Sequence, residues 1–173
     1  MISGKLIEEE IKNGSITIEN FDKRNLNPNS YNLSLSNMIL TYDNEILNPK
    51  IENKTIKHII PDSGIILHPG TLYLTSTQET VSSTKYIPCI SGRSSLARLG
   101  LVVHQTAFFA NFGDVLKWTL ELSVVQPLVL YPDMKICQVY FEELTGPTTI
   151  EYNGKYKFQD KAIGSKFYEE EAE

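Results

Sequence analysis

A stretch rich in Gly, Arg and Ser near the middle of the chain has the residue types that bind phosphate. Two of the three arginines, Arg93 and Arg98, enclose the hydroxyl residues Ser94 and Ser95. Guanidinium groups, hydroxyls and backbone N–H groups can together hold one anion, and a helix beginning near residue 96 would add positive potential. The spacing differs from the G-x-x-x-x-G-K-[ST] pattern of a Walker A loop. A Ser-rich turn with two surface arginines explains the same residues, so both interpretations stay open.

Glu121 is the candidate for acid–base chemistry. The alternation in residues 118–125 predicts a strand with Thr119, Glu121 and Ser123 on one face and apolar residues on the other. A carboxylate held on a rigid strand, close to a water and a cation, can accept a proton and return it later. A solvent-exposed strand glutamate is the alternative, which composition alone favours.

The histidines and cysteines argue against metal chemistry. Zinc deaminases need H-x-E together with P-C-x-x-C, whereas His58, His68 and His104 are isolated from one another and from Cys89 and Cys137. We therefore expect no zinc. His104 is expected to be a hydrogen-bonded structural residue, and the two cysteines are expected to be small buried hydrophobic residues.

The pattern at the N-terminus predicts one short helix. Ser3 can cap it, and Asn13-Gly14 can end it. Its apolar face would consist of Leu6, Ile7 and Ile11, with Glu8 to Glu10 pointing toward solvent.

Beyond residue 15 the hydrophobic period is mostly two, which is typical of strands. Gly, Pro and Asn separate the short runs, and little further helix is indicated. These features predict a mainly β fold, either a barrel or a jelly roll. Residues 43–57 are expected to form an exposed loop or an excursion at the edge of the sheet, and residues 169–173 a frayed tail. The predicted strands are 16–18, 31–35, 71–75, 99–103, 118–125, 128–130 and 136–141.

Length, charge and composition narrow the class of protein. The 173 residues fit a single domain. The net charge of −5 disfavours a protein whose main function is to bind the phosphate backbone of a nucleic acid. Two cysteines are too few for a disulfide framework, and no apolar run approaches the ~18 residues that span a membrane. The acidic N-terminus does not resemble a signal peptide, so we expect a cytoplasmic protein with no membrane partner.

Several motifs together resemble the dCTP deaminase family of the dUTPase-like superfamily. They are SGRSSLARLGL, HQTA, the TLE that contains Glu121, LYPDMKICQVYF, residues 28–33 beside the family's P-x-S-Y-D-L, and GKYKFQ at 154–159. The resemblance covers nearly all of residues 1–173 as a single domain. It implies a distorted β-barrel of the dUTPase-like type with a short N-terminal helix. It also implies a homotrimer with active sites at subunit interfaces, and a C-terminal lid or tail at 151–173.

The resemblance assigns roles residue by residue. Glu121 matches the glutamate that activates water, Arg98 the arginine near the pyrimidine, and Ala107 a residue whose backbone positions that water. Mg²⁺ would arrive on the substrate triphosphate, and no metal site on the protein itself is implied. The matching substrate-binding positions are Arg93, Ser94, Ser95, Gln105, Thr106, Asn111, Gln138, Tyr152, Lys155, Tyr156 and Gln159.

One segment departs from the family pattern. The family reads D-P-G-[FWY]-x-G where this chain has Asn111, Phe112, Gly113, Asp114, Val115 and Leu116. The aspartate near the sugar is therefore an asparagine here. Phe108 occupies a position at which monofunctional and bifunctional members differ. These changes bear on substrate choice and on activity.

The resemblance predicts hydrolytic, zinc-independent deamination of dCTP to dUTP and ammonia, in the pyrimidine deoxynucleotide metabolism that supplies dUMP and dTTP. Three alternatives stay open: a bifunctional enzyme that yields dUMP and pyrophosphate, a deaminase of dCMP, and a nucleotide-binding regulator without turnover. dTTP is a candidate inhibitor. A jelly-roll lectin or structural protein is the interpretation that ignores the motifs.

Overall fold

The computed structural model describes residues 1–148, 150 and 152–170. Two α-helices are present in this part of the chain, α1 (Gly4–Lys12) and the single turn α2 (Ser94–Ala97). The strands are β1 (Ile16–Ile18), β2 (Tyr31–Tyr42), β3 (Thr55–Ile59), β4 (Ile65–Leu67), β5 (Tyr73–Thr77), β6 (Val81–Ser83), β7 (Tyr86–Gly92), β8 (Leu101–Val102), β9 (Val115–Leu116), β10 (Thr119–Val124), β11 (Leu128–Leu130) and β12 (Lys135–Glu143). Short 3-10 turns occupy Lys23–Asn25 and Phe167–Glu169.

All strand pairs are antiparallel, and most strands join one barrel-like sheet. Its order is β7-β12-β2-β5-β10-β8, with β3 added to β2. The long strand β2 pairs with β12, β5 and β3, and irregularities in its register with β12 and β5 curve the sheet. Two small sheets, β1-β6-β9 and β4-β11, complete the fold. The prediction of a mainly β, barrel-like fold is confirmed.

The core lies inside this sheet, and β10 shows how the sequence creates it. Leu120, Leu122 and Val124 are buried, whereas Thr119, Glu121 and Ser123 are half-buried on the other face. The predicted two faces of this strand are therefore confirmed. Each fully buried Leu side chain contributes about 1.5–3 kcal/mol to folding, so the apolar face fixes the direction in which Glu121 points.

The segment 43–57, predicted as an exposed loop or an edge excursion, contains both features, because residues 55–57 belong to β3, which is added to β2 outside the main strand order. Thr41 pairs with Ile56 across the ladder, and the Asp43 N–H donates to the Lys54 carbonyl at 3.0 Å. The loop proper therefore spans 43–54. Of the predicted tail at 169–173, residues 171–173 lie outside the described residues, and Glu169 ends a 3-10 turn.

Helix α1 has the predicted cap, with the Leu6 N–H donating to Ser3 Oγ at 3.2 Å. The expectation that Glu10 faces solvent was wrong. Its side chain is buried, 5% exposed, and accepts hydrogen bonds from Tyr86 Oη at 2.9 Å and from Lys85 Nζ. Glu10 lies three residues after Ile7, so helical geometry places both on the same face. No helix in the described ranges is long and apolar enough to cross a membrane.

Glu10→Gln is expected to change how stability depends on pH. The hydrogen bond from Lys85, followed by that from Tyr86, holds the pKa of Glu10 below its ordinary value of 4.5. A carboxyl with a lowered folded-state pKa stabilises the fold above pH 4.5, and this contribution is lost as the pH falls through the folded-state pKa. The stability difference between wild type and variant, measured by urea unfolding, should therefore shrink below pH 4.5. Glu9→Gln is the exposed control, and a pH-independent difference for Glu10→Gln would contradict the account.

Candidate active site

Glu121 is held in place by two neighbouring segments. Its backbone N–H donates to the Val103 carbonyl at 3.1 Å, and its Oε2 accepts the Gln105 N–H at 2.9 Å. The Gln105 side-chain amide donates to the Glu121 carbonyl at 3.2 Å and to Ser123 Oγ at 3.1 Å. A carboxylate fixed by a backbone donor has a defined orientation, as proton transfer requires. The alternative of an unattached surface glutamate does not apply.

The segment after Gln105 is fastened to β7. The Ile90 N–H donates to the Phe108 carbonyl at 2.7 Å, and the Ala110 N–H donates to the Pro88 carbonyl at 2.9 Å. Ala107 therefore lies between two anchored points. The role that the resemblance gives to the Ala107 backbone stays a prediction.

A cavity of about 460 Å³ opens in front of Glu121. It is wide enough for a nucleoside-sized molecule. Seven of the predicted site residues line it, namely Gln105, Ala107, Asn111, Glu121, Tyr152, Tyr156 and Gln159.

Residues 152–170, which we call the C-terminal segment, form one wall of this cavity. The segment is hydrogen-bonded to residues on or next to β10 and to β2. The Lys117 N–H donates to the Gln159 carbonyl at 2.9 Å, and the Gln159 amide donates to Thr119 Oγ1. The Ser165 N–H donates to Tyr42 Oη at 3.0 Å. The segment is therefore hydrogen-bonded to the sheet beside the cavity.

The Gly-Arg-Ser loop forms a second group of predicted residues. Arg93 precedes α2 and its Nη1 donates to the Lys135 carbonyl at 2.8 Å. Gln138 joins the loop, since its amide donates to the Gly92 carbonyl at 3.0 Å and accepts from Ser30 Oγ at 2.7 Å. The exposed members of the group are Ser94, Ser95 and Arg98.

The two groups are separate within one chain. Among the described residues, none from 91–100 lines the cavity around Glu121. Thr106 is exposed and does not line the cavity either. Lys155 instead pairs with Glu170, which raises the pKa of the Lys155 ammonium. In the single chain, the Glu121 carboxylate and the Gly-Arg-Ser loop therefore do not line one cavity.

Sequence reasoning gave no site role to Tyr42, Asp114 or Trp118, all of which line the cavity. Asp114 was noted only as a departure from a family pattern, yet it is 6% exposed and accepts the Val115 N–H at 2.9 Å. Trp118 is buried, and its Nε1 has no hydrogen-bond partner among the described residues. Tyr42 reaches the site only through packing of the C-terminal segment, which no local pattern signals.

Asp114→Asn is expected to stabilise the protein more at neutral than at acidic pH. Burial raises the pKa of Asp114 above its ordinary value of 3.8, and the Val115 N–H only partly offsets this. Because the folded state holds the proton more tightly, wild-type stability falls as the pH rises from 3.8 through the folded-state pKa. The neutral Asn side chain lacks this loss. Urea unfolding of both proteins between pH 3 and 7 measures the difference, and a wild type that gains on the variant as the pH rises would contradict it.

The remaining predictions concern histidine and cysteine. Cys89 and Cys137 are buried as predicted, and burial raises the pKa of both thiols. The expected hydrogen bonding of His104 is not found at Nδ1, which has no partner in the described ranges. Its ring instead packs 6.1 Å from that of Phe108. No group of three or more His, Cys, Asp or Glu in those ranges could hold a metal ion.

A comparison with known protein families shows to which family this chain belongs. The family model described as dCTP deaminase-like matches residues 1–144. The chain therefore belongs to the dCTP deaminase-like family.

Individual relatives agree over most of the chain. A protein of Clostridium beijerinckii named dCTP deaminase, dUMP-forming, is 46% identical over 157 residues, which cover 91% of this chain and 90% of that protein. Proteins with the same name from Clostridium botulinum (strain Eklund 17B) and Cytophaga hutchinsonii are 44% and 41% identical over 170 residues, 98% of each chain. All three of these relatives are therefore named as enzymes.

A solved structure supports the fold. The 2'-deoxycytidine 5'-triphosphate deaminase from Agrobacterium tumefaciens superposes with a TM-score of 0.64 at 16% identity. The match covers 81% of this chain and 47% of that one. At this identity the likeness concerns the fold alone.

Proposed function

We propose that this protein is a hydrolase that converts dCTP and two water molecules into dUMP, ammonia and pyrophosphate. The observation that carries the proposal is the backbone-oriented Glu121 carboxylate at a cavity walled by Gln105, Ala107 and the C-terminal segment. Relatives at 41–46% identity that are named as dUMP-forming favour this outcome over release of dUTP.

The first step is attack of water on C4 of cytosine. Glu121 takes a proton from the attacking water and delivers it to ring nitrogen N3. It then takes the proton of the new C4 hydroxyl and delivers it to the amine, so that the C4–N bond breaks, ammonia leaves and the C4 carbonyl forms. The Gln105 N–H keeps that carboxylate oriented, and the Ala107 backbone helps to hold the water. Arg98 from the loop of a neighbouring chain is assigned a position near the pyrimidine and the attacking water.

The second step releases pyrophosphate. Water attacks the α-phosphorus of the triphosphate, and the bond to the bridging oxygen of pyrophosphate breaks. Arg93, Ser94 and Ser95 hold the phosphate oxygens, and the Mg²⁺ that accompanies the triphosphate offsets the developing charge. Lys155 joins them once it leaves Glu170 for the phosphates.

We propose a homotrimer in which each site combines Glu121 of one chain with the 91–100 loop of a neighbour. The separation of these two groups within one chain supports it. Static light scattering should give three times the 19.6 kDa of one chain. A monomer in solution would contradict both the trimer and the shared site.

The wider assignments also belong to the proposal. Deamination proceeds without zinc, because activation of the water is assigned to Glu121. We assign the enzyme to the pyrimidine deoxynucleotide metabolism that leads to dTTP, because dUMP is the proposed product, and we expect it in the cytoplasm. Inhibition by dTTP would then be inhibition by an end product at the same nucleotide site.

Product analysis tests the reaction. The protein is incubated with dCTP, dUTP or dCMP in the presence of Mg²⁺ and a zinc-selective chelator, and nucleotides are resolved by ion exchange. The expected result is dUMP, ammonia and pyrophosphate in equal amounts from dCTP. Accumulating dUTP would indicate a monofunctional deaminase, and turnover of dCMP alone would link residues 111–116 to substrate choice. Tight dCTP binding without any product would indicate a regulator.

A further inference from the structure

A second cavity, of about 420 Å³, lies on the other side of the C-terminal segment. Four lysines line it: Lys54, Lys57, Lys161 and Lys166. We refer to it as the lysine cavity. Nothing in the proposed reaction uses it.

The four lysines come from two separate parts of the chain, residues 54–57 and residues 161–166, which lie against the same face of the sheet. Lys57 on β3 is the ladder partner of Leu40 on β2, so both side chains stand on one face. Ala162, which is 3% exposed, packs on that face against Leu40 and Leu74. Lys54 lies just before β3, and Lys161 and Lys166 lie on the segment that contains Ala162.

The charge of the lysine cavity is poorly balanced. Lys54, Lys57 and Lys161 are exposed, and none has an ion-pair partner among the described residues. Lys166 has Glu169 at 3.8 Å, and Glu52 is the one carboxylate among the described residues that line the cavity. Four cations around one cavity repel one another, and an anion placed between them relieves that repulsion. The concentration of positive charge is notable in a chain whose net charge is −5.

The lysine cavity shares a wall with the candidate active site. Ile163, Gly164 and Ser165 line both cavities. The bond from the Ser165 N–H to Tyr42 Oη, 3.0 Å long, fixes this wall to β2. An anion bound to lysines on β3 and on the segment would connect the two directly.

We propose that the lysine cavity is a second anion site, which binds a small phosphate-bearing molecule and thereby holds the C-terminal segment against the candidate active site. The ligand class follows from the four ammonium groups, since phosphate oxygens accept several charged hydrogen bonds at once. The site is distinct from the Gly-Arg-Ser loop, and its occupancy does not depend on the proposed reaction. A bound anion would favour the closed position of the segment.

Inorganic triphosphate is the probe, titrated into the full-length protein at constant ionic strength. Fluorescence of Trp118, the single tryptophan, reports binding because this residue lines the neighbouring cavity. Hydrogen exchange of residues 161–168 reports the location. Lys57→Gln/Lys161→Gln removes two charges from the lysine cavity, and Arg93→Gln/Arg98→Gln disables the other phosphate site. Lys5→Gln/Lys23→Gln is the charge-matched control, because neither lysine lines the lysine cavity.

The Arg93/Arg98 double variant should still bind triphosphate with slowed exchange at 161–168. When Lys57→Gln/Lys161→Gln is added to the Arg93/Arg98 variant, affinity should fall at least about tenfold and all of the slowing should be lost, because two charge-assisted contacts are removed. The Lys5/Lys23 variant should behave as wild type. An equal loss of affinity in the Lys5/Lys23 variant would overturn the second site. So would a protein with all four substitutions, at Lys57, Lys161, Arg93 and Arg98, that binds triphosphate as tightly as the Arg93/Arg98 variant does. Turnover of dCTP is measured separately, so failure of the proposed reaction would be recognised independently.

Discussion

The Glu121→Gln variant is expected to release ammonia from dCTP about 10²–10⁴-fold more slowly than wild type, which is the usual contribution of a general acid–base group. Gln can accept the Gln105 N–H through its amide oxygen, as the carboxylate does at 2.9 Å, so the geometry should persist. What the variant loses is the ability to take a proton from water. The measurement is kcat for ammonia release under saturating dCTP.

Ser123→Ala is the matched control for this substitution. Ser123 stands on the same face of β10 and accepts a hydrogen bond from the Gln105 side chain at 3.1 Å, but its hydroxyl does not ionise near pH 7. It should keep kcat within a few-fold of wild type, and both variants should unfold at similar urea concentrations. If Glu121→Gln retains wild-type kcat, Glu121 is not the proton carrier and the proposed mechanism fails.

Arg93→Gln is expected to lower kcat/KM for dCTP by about 10–150-fold, which corresponds to the 1.5–3 kcal/mol of one hydrogen bond to a charged group. Arg93 is the half-buried arginine of the loop, already oriented by its bond to the Lys135 carbonyl at 2.8 Å. A neutral amide cannot supply the charge that a triphosphate requires. Steady-state kinetics at constant ionic strength measure the effect.

Arg24→Gln provides the control with the same change of charge. Arg24 is exposed and paired with Asp22, and this contact lowers the pKa of Asp22 to about 2. Its loss should leave kcat/KM unchanged. Arg93→Lys separates structure from charge, because it keeps the charge without the bidentate geometry and should recover part of the loss. A Gln variant at Arg93 with wild-type kcat/KM would remove the loop from the nucleotide site.

Strand β10 could be predicted because it has one buried and one half-buried face. The alternation along β10 reflects that difference directly, so the direction of Glu121 followed from the sequence. Strand β3 was missed because four of its five residues are exposed, so that no alternation marks it; its pairing with β2 defines it. Glu10 was misplaced because charge was weighed above helical position, whereas Tyr86 and Lys85 compensate its burial.

The candidate site also has one part that could be predicted from the sequence and one part that could not. The Gly-Arg-Ser loop is contiguous and Glu121 has a clear strand context, so residue types and spacing made them candidates, and the family resemblance assigned their roles. The opposite wall was accessible only through the family resemblance, since Gln159 and Thr119 meet across 40 residues of sequence. The burial of Asp114 and the contribution of Tyr42 depend on how the C-terminal segment packs, which no local pattern encodes.

The central claim is that Glu121 of one subunit and the 91–100 loop of its neighbour form one active site. Mixing equal amounts of the Glu121→Gln and Arg93→Gln proteins, after unfolding and refolding together, tests it most directly. Random trimers of threefold symmetry would contain intact hybrid sites, and about a quarter of wild-type activity should return. Activity no higher than the sum of the two separate variants would contradict the claim and would place both groups at a site within a single chain.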